Sequence, residues 1–164
     1  MIELDGIRRL LPRRRPMLLV DRVLEAVPGE SLVAVKAVTG NEPWYERIPQ
    51  DASVEQLAYP PTLLIESWGQ AAGLLASMDE DLPEGVMVLG GTTEMEFHRP
   101  VLPGTVLEHR VRLMRVWRGA LFFRGETRVG DEAVMSVHQL TLAFRPWEAL
   151  GAPEPADRTP VAAA

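Results

Sequence analysis

Thr62-Leu63-Leu64-Ile65-Glu66-Ser67-Trp68-Gly69-Gln70-Ala71-Ala72-Gly73-Leu74-Leu75-Ala76-Ser77-Met78 is the stretch on which the fold turns. Leu63, Leu64, Ile65, Trp68, Ala71, Ala72, Leu74, Leu75 and Met78 recur at helical spacing and cover nearly every side. This predicts a helix over 62–78, with Pro61 just before it, Thr62 as N-cap and Asp79-Glu80-Asp81 ending it. A helix apolar all round is buried all round, so another part of the chain must cover it. Downstream, residues 86–91, 93–97, 106–117, 121–129 and 133–144 read as strands. Arg118-Gly119 and Gly130-Asp131 read as hairpin turns between them. The expected class is α+β: one long central helix wrapped by an antiparallel sheet.

Upstream, residues 3–11 form a short helix with Ile7, Leu10 and Leu11 on one face, and the prolines at 12 and 16 prevent its continuation. Residues 23–27 and 32–39 are strands, joined through Pro28-Gly29-Glu30. Residues 40–61 hold no clean period, because Gly40, Pro43, Pro49, Pro60 and Pro61 keep breaking it. Long irregular stretches of this kind tend to carry function. Residues 1–150 are expected to form a single domain. The Pro- and Ala-rich residues 151–164 cannot bury enough surface to offset their ordering entropy and are expected to be a flexible tail.

Composition narrows the function classes. At 164 residues with 46% hydrophobic and 24% charged residues, the chain has the balance of a globular domain. No apolar run approaches the ~18 residues of a membrane span, and Met1-Ile2-Glu3-Leu4-Asp5 has no signal-peptide character, so no membrane association and a cytoplasmic location are expected. A net charge of −6 argues against general nucleic-acid binding. The absence of cysteine excludes disulfides, thiolate metal sites and cysteine nucleophiles. Lys36 is the only lysine, so a Schiff-base mechanism rests on it alone; its alternation with Val35 and Ala37 reads as a solvated strand face.

Glu66 lies within the apolar helix, and Gln70 follows one turn later. Two readings stay open here: a polar stripe of Glu66, Ser67 and Gln70 facing water, or a general acid or base whose neutral form is favoured by burial. His98, His109 and His138 lie in or beside strands and read as structural or exposed; they show no metal-ligand spacing, and no metal or other cofactor is expected.

Four segments, in order, carry a resemblance. They are Leu11-Pro12-Arg13-Arg14-Arg15-Pro16-Met17-Leu18-Leu19-Val20-Asp21-Arg22, Asn41-Glu42-Pro43-Trp44-Tyr45, Leu63-Leu64-Ile65-Glu66-Ser67-Trp68-Gly69-Gln70-Ala71-Ala72-Gly73, and Phe97-His98-Arg99-Pro100-Val101-Leu102-Pro103-Gly104. Together they closely resemble the signatures of bacterial 3-hydroxyacyl-acyl carrier protein dehydratases. The resemblance implies the hot-dog fold, a helix wrapped by a curved sheet and paired into a double hot dog. It also implies an active site at a dimer interface. There a histidine following the Asn-Glu-Pro segment takes the α-proton of a 3-hydroxyacyl thioester, and the helix acid, here Glu66, helps the hydroxyl leave as water. Gln70 is then an orienting partner.

The chain departs from that pattern at the histidine. Where the family reads Gly-His-Phe-Pro, this sequence reads Glu46-Arg47-Ile48-Pro49, so Arg47 stands at the histidine position. Arginine stays protonated and abstracts nothing. Residues 50–59 make the following loop longer than in the family, and Pro60-Pro61 replaces its Pro-Gly, removing an amide N–H that would polarise the thioester carbonyl.

Three functions follow from the resemblance and this departure. The first is a dehydratase subunit sharing its site with a histidine-bearing hot-dog partner, in fatty-acid or polyketide synthesis. The second is a non-catalytic acyl-binding or scaffolding subunit. The third is a hot-dog thioesterase in which Glu66 activates water. A homodimer is the alternative to the heterodimer. The implied acyl carrier protein partner is acidic, so Arg13, Arg14 and Arg15, or Arg110 and Arg112 with Arg115 and Arg118, are candidate docking residues. Trp44, Tyr45, Leu64, Trp68 and Met87 are candidates for lining an acyl tunnel and serve equally well as core.

Overall fold

The computed structural model of the chain describes residues 1–79 and 86–146. Helix α1 (Leu4–Leu10) leads into strands β1 (Arg22–Val27) and β2 (Ser31–Ala37). Two short 3-10 turns, Pro43–Tyr45 and Val54–Leu57, occupy the irregular stretch. Helix α2 (Pro61–Ala76) follows, then β3 (Val86–Phe97), β4 (Val106–Trp117), β5 (Ala120–Val129) and β6 (Glu132–Arg145). All strand pairs are antiparallel, in the order β1-β2-β4-β5-β6-β3, and α2 packs on β2, β4 and β5. This is the wrapped-helix α+β architecture expected from the sequence. Bulges in β1, β3, β4 and β6 let the sheet bend around the helix.

The helix ends differ from expectation. Pro60 is the N-cap and Pro61 the first helical residue, so Thr62 is not the cap. Proline suits that first position, because its missing N–H has no intrahelical acceptor there. The helix stops at Ala76, and the Ser77 hydroxyl donates back to the Gly73 carbonyl at 2.8 Å. Residues 86–91 and 93–97, read as two strands, form one, with a bulge between Leu89 and Gly91. Both hairpin turns fall where expected. Arg118 and Gly119 both have positive φ, 50° and 72°, the two-residue turn that matches strand twist. The tail expected from residue 151 lies outside the described residues.

The helix–sheet interface is fastened at one place. Trp68 is fully buried, and its indole N–H is shared between the carbonyls of Arg110 in β4 and Glu126 in β5, at 3.3 and 3.2 Å. Those carbonyls are reachable because Gly125 lies between them, next to a bulge. A Cβ there would collide with the Arg110 carbonyl and crowd the indole, and its φ of 153° suits glycine. The residue before it in the helix, Ser67, shares a hydrogen bond with His109 Nε2 at 2.7 Å, while His109 Nδ1 meets the Thr127 hydroxyl at 2.9 Å. All three are fully buried. Ser67 and Trp68 together fix the rotation of α2 about its axis.

Lys36 corrects the sequence reading. It is 5% exposed, not solvated. Its inner-face position in β2 points it under the irregular stretch, where Nζ meets Glu42 Oε1 at 3.1 Å and lies over the Tyr59 ring. Glu42 also accepts the Thr39 N–H at 3.0 Å. A buried cation is tolerated because it is paired and hydrogen-bonded. Removing only one partner is therefore costly. Glu42→Ala should lower unfolding free energy by about 3–5 kcal/mol, and the double variant K36M/E42L should recover much of that loss in urea titrations.

Burial, reinforced by the nearby Lys36 cation, pushes the His109 imidazole down to about 3 from 6.5. The unfolded chain therefore binds a proton below pH 6.5 that the folded chain refuses, and stability falls as pH drops from 6.5 towards 3. At pH 5 this amounts to about 2 kcal/mol. Urea unfolding at pH 7 and pH 5 should show the loss in the wild type and a clearly smaller one in His109→Met.

Candidate functional site

With Ser67 and Trp68 committed to the sheet, the next face of α2 carries Thr62, Ile65, Glu66 and Gly69, none of them fully buried. Glu66 is the one ionisable group there, and its side chain is 32% exposed. Neither reading of the polar residues holds as stated: Glu66 is partly exposed and not sealed in apolar packing, while Ser67 and Gln70 are buried and form no water-facing stripe with it.

Three groups converge at Glu66. Gln70, 3% exposed and one turn on, donates from Nε2 to Glu66 Oε1 at 2.9 Å and to the Met17 carbonyl at 2.6 Å. Its Oε1 accepts the Leu19 N–H at 2.9 Å, which fixes which way the amide faces. Every strong donor and acceptor of the amide is oriented by the 17–19 segment or by Glu66. Arg13 Nε approaches the same Glu66 oxygen at 3.3 Å. Arg14 staples the turn beneath by donating to the carbonyls of Leu11 and Arg13, at 2.8 and 2.7 Å. Arg15 is exposed. The Arg-rich segment read as a docking surface therefore also forms one wall of the carboxylate site. The Arg13 contact is what sequence reasoning missed; only folding brings residue 13 to residue 66.

The Pro60-Pro61 start of α2 is poor in amide donors. Neither proline has an N–H, and the N–H groups of Leu63 and Leu64 both donate to the Pro60 carbonyl, at 3.0 and 3.1 Å. Within residues 60–64 only the Thr62 N–H remains to face a ligand oxygen.

The irregular stretch is held by aromatic packing. Trp44 lies edge-on to Tyr59, with ring centroids 5.3 Å apart, and the Tyr45 hydroxyl donates to the Leu57 carbonyl at 3.2 Å, tying the two 3-10 turns together. Tyr59 N–H donates to the Val101 carbonyl at 2.7 Å. Burial and the adjacent Glu42 carboxylate push the Tyr59 phenol well above its ordinary value, and burial raises Tyr45 as well. The Tyr59 hydroxyl and the Trp44 indole N–H are buried without a hydrogen-bond partner among the described residues. Arg47 projects from this stretch into solvent and makes no described contact with Glu66.

The five tunnel candidates fall into separate settings. Trp44 and Tyr45 pack at the irregular stretch, Leu64 and Trp68 are core, and the Met87 thioether lies over Gly73 together with Leu11. The histidines are also apart from Glu66. His109 is held by Ser67 and Thr127, His98 by Ser136 at 2.8 Å, and His138 lies 3.8 Å from Glu94. Arg110 and Arg112 line a groove of about 850 Å³ on the outer face of the sheet, across it from α2. Arg110 is paired with Glu108 at 2.6 Å. Among the described residues no helix is long and apolar enough to cross a membrane.

A helix wrapped by a curved antiparallel sheet is the hot-dog architecture. Residues 11–138 match the FabA-like domain, and the chain belongs to that family. It is 40% identical to the 3-hydroxyacyl-[acyl-carrier-protein] dehydratase FabZ of Halorhodospira halophila over 134 residues, 79% of this chain and 84% of that protein. The FabZ of Shewanella oneidensis is also 40% identical, over 139 residues, 82% of this chain and 88% of the other. Among solved structures, the dehydratase heterocomplex ApeI:P from Xenorhabdus doucetiae superposes with a TM-score of 0.72 at 17% identity, covering 88% of this chain and 93% of that one. Protein PH1136 from Pyrococcus horikoshii gives 0.60 at 14% identity, covering 88% and 95%. At those identities the likeness is one of fold.

Gln70 is the hinge between the 17–19 segment and Glu66. Gln70→Leu should cost about 1–3 kcal/mol, because it orphans the buried Leu19 N–H and the Met17 carbonyl. Hydrogen exchange at the Leu19 amide should accelerate with it.

Proposed function

We propose that this chain is a subunit of a 3-hydroxyacyl-acyl carrier protein dehydratase and acts with a histidine-bearing hot-dog partner. One observation supports this above the others. Glu66 is held in place by Gln70 and Arg13, yet every histidine of this chain is committed elsewhere, and Arg47 occupies the position from which the family's base would come. The acid half of a two-residue site is intact and the base half is missing. Dehydration needs both: the imidazole takes the proton at C2, the C2–C3 double bond forms, and the C3 hydroxyl leaves as water with a proton from the acid. In the proposed complex Glu66 supplies that last proton, and Gln70 orients it.

The unpaired edge of the sheet supports association. β3 ends the strand order, its residues from Leu89 to Glu94 are exposed, and so are Glu96 and Phe97. A long exposed edge with Leu89 and Phe97 at 59% and 44% exposure invites pairing with a second sheet. The uncovered face of α2 lies where a second subunit brings its own residues. One structural relative is described as a dehydratase heterocomplex, which favours a different partner chain over a second copy. The acidic carrier protein docks, in this reading, at Arg13, Arg14 and Arg15, beside Glu66; Trp44, Tyr45 and Met87 line the acyl path, and the site needs no metal or cofactor. The substrates are 3-hydroxyacyl thioesters of fatty-acid or polyketide type, handled in the cytoplasm.

In the complex with its partner, Glu66→Gln should reduce dehydration at least ~100-fold without loss of assembly on size-exclusion chromatography. The isolated chain should be inactive. Arg47→His should restore little, since the lengthened 50–59 loop displaces that position and about 1 Å of misplacement already costs ~100-fold. Full turnover by the isolated chain, or by the Glu66→Gln complex, would refute the shared-site reading.

A further inference from the structure

The outer face of the sheet changes character along β4 and β5. At one end its charges are paired: Arg110 with Glu108 at 2.6 Å, and Arg128 with Glu126 at 2.9 Å. Towards the β4–β5 hairpin the pairing stops. Arg112 stands directly opposite Arg124 in the β4–β5 register. Arg115 stands opposite Phe122, its guanidinium 4.2 Å from the ring centroid, and the Arg118 guanidinium lies 4.8 Å from that of Trp117. Arg112, Arg115, Arg118 and Arg124 are exposed, and none forms an ion pair among the described residues. Met114 and Trp117, each more than half exposed, are interleaved with them, while Val116, opposite the buried Leu121, faces the other side of the sheet.

Like charges facing each other across an antiparallel pair are destabilising. A face needing only solubility would continue the alternating signs of the neighbouring rungs. Here four cations go uncompensated in a chain whose net charge is −6, and apolar side chains sit between them. Contact with the Phe122 and Trp117 rings positions the guanidinium groups of Arg115 and Arg118, whose N–H groups form no ion pair among the described residues and can take carboxylates two at a time. Such a surface is complementary in charge and in polarity to a ligand that alternates carboxylates with apolar groups.

We infer that the outer face at the β4–β5 hairpin is a docking surface for an acidic protein segment that presents apolar side chains among its carboxylates. The occupant does not deliver an acyl group to Glu66, because the sheet stands between this face and α2. It is therefore a second interaction surface, independent of the dehydratase reading. The net negative charge of the chain disfavours a nucleic acid there.

The probe is a fluorescent amphipathic peptide of Glu and Leu residues, titrated by anisotropy against the full chain at low and high salt. The peptide should bind, more weakly as salt rises. The double variant R112S/R124S should weaken it about tenfold or more, while Arg128→Ser, on a paired rung, should leave binding unchanged. Arg124→Glu places opposite charges across the pair and should raise Tm while weakening the peptide about tenfold. A gain in stability with a loss of binding separates docking from misfolding. Absence of binding at low salt, binding insensitive to R112S/R124S, or tighter binding of an oligonucleotide of equal charge would each overturn the inference.

Discussion

The Trp68 indole, lodged over the gap that Gly125 leaves in the sheet, is the contact on which the rest of the structure depends. It joins three elements with one side chain: α2, and the carbonyls of β4 and β5 that its N–H bridges. A Cβ at that point would collide with the Arg110 carbonyl, one of the two acceptors of the indole, and crowd the ring itself. Because Ser67 beside it is held by His109, the helix has one rotation only, and Glu66 is turned away from the sheet. The placement of the carboxylate is thus a consequence of core packing on the other side of the helix.

The interior that sets this rotation includes polar groups. Lys36, Ser67, Gln70, His109 and Thr127 are all buried, and each has a hydrogen-bond partner. A core of this kind adds little net stability over an apolar one, since desolvation offsets much of each bond. It fixes geometry, because a half-satisfied network costs more than either a complete one or none. Lys36–Glu42 anchors the start of the irregular stretch, and Gln70 anchors the N-terminal segment on α2. Both segments border the helix that carries Glu66, so these buried bonds shape the site more than they stabilise the fold.

The surroundings of Glu66 are uneven. Arg13 and Gln70 both address one of its oxygens, and the turn holding Arg13 is itself stapled by Arg14. Arg47, by contrast, is exposed, and α2 starts with two prolines. An exposed ion pair such as Arg13–Glu66 contributes little to stability. Its effect is on the orientation and charge environment of the carboxylate. The partly exposed helix face and the exposed β3 edge are the two surfaces left open around this carboxylate.

Much of this was legible in the residues themselves. The apolar period of 62–78, the strand alternation after it and the Arg118-Gly119 and Gly130-Asp131 turns are local signals, and local sterics and burial decide them; hence the helix, the sheet and the family were readable before any coordinates. Glu66 and Gln70 were readable as a pair for the same reason, since one helical turn separates them. Lys36 was misread, because alternation in a strand tells which residues share a face but not what covers that face; the stretch carrying Glu42 and Tyr59 folds over it. Arg13 reaching Glu66, His109 joining Ser67 to Thr127, and Arg112 facing Arg124 all link residues far apart in the chain. Such contacts depend on register and on the path of the loops, and only the tertiary structure sets those.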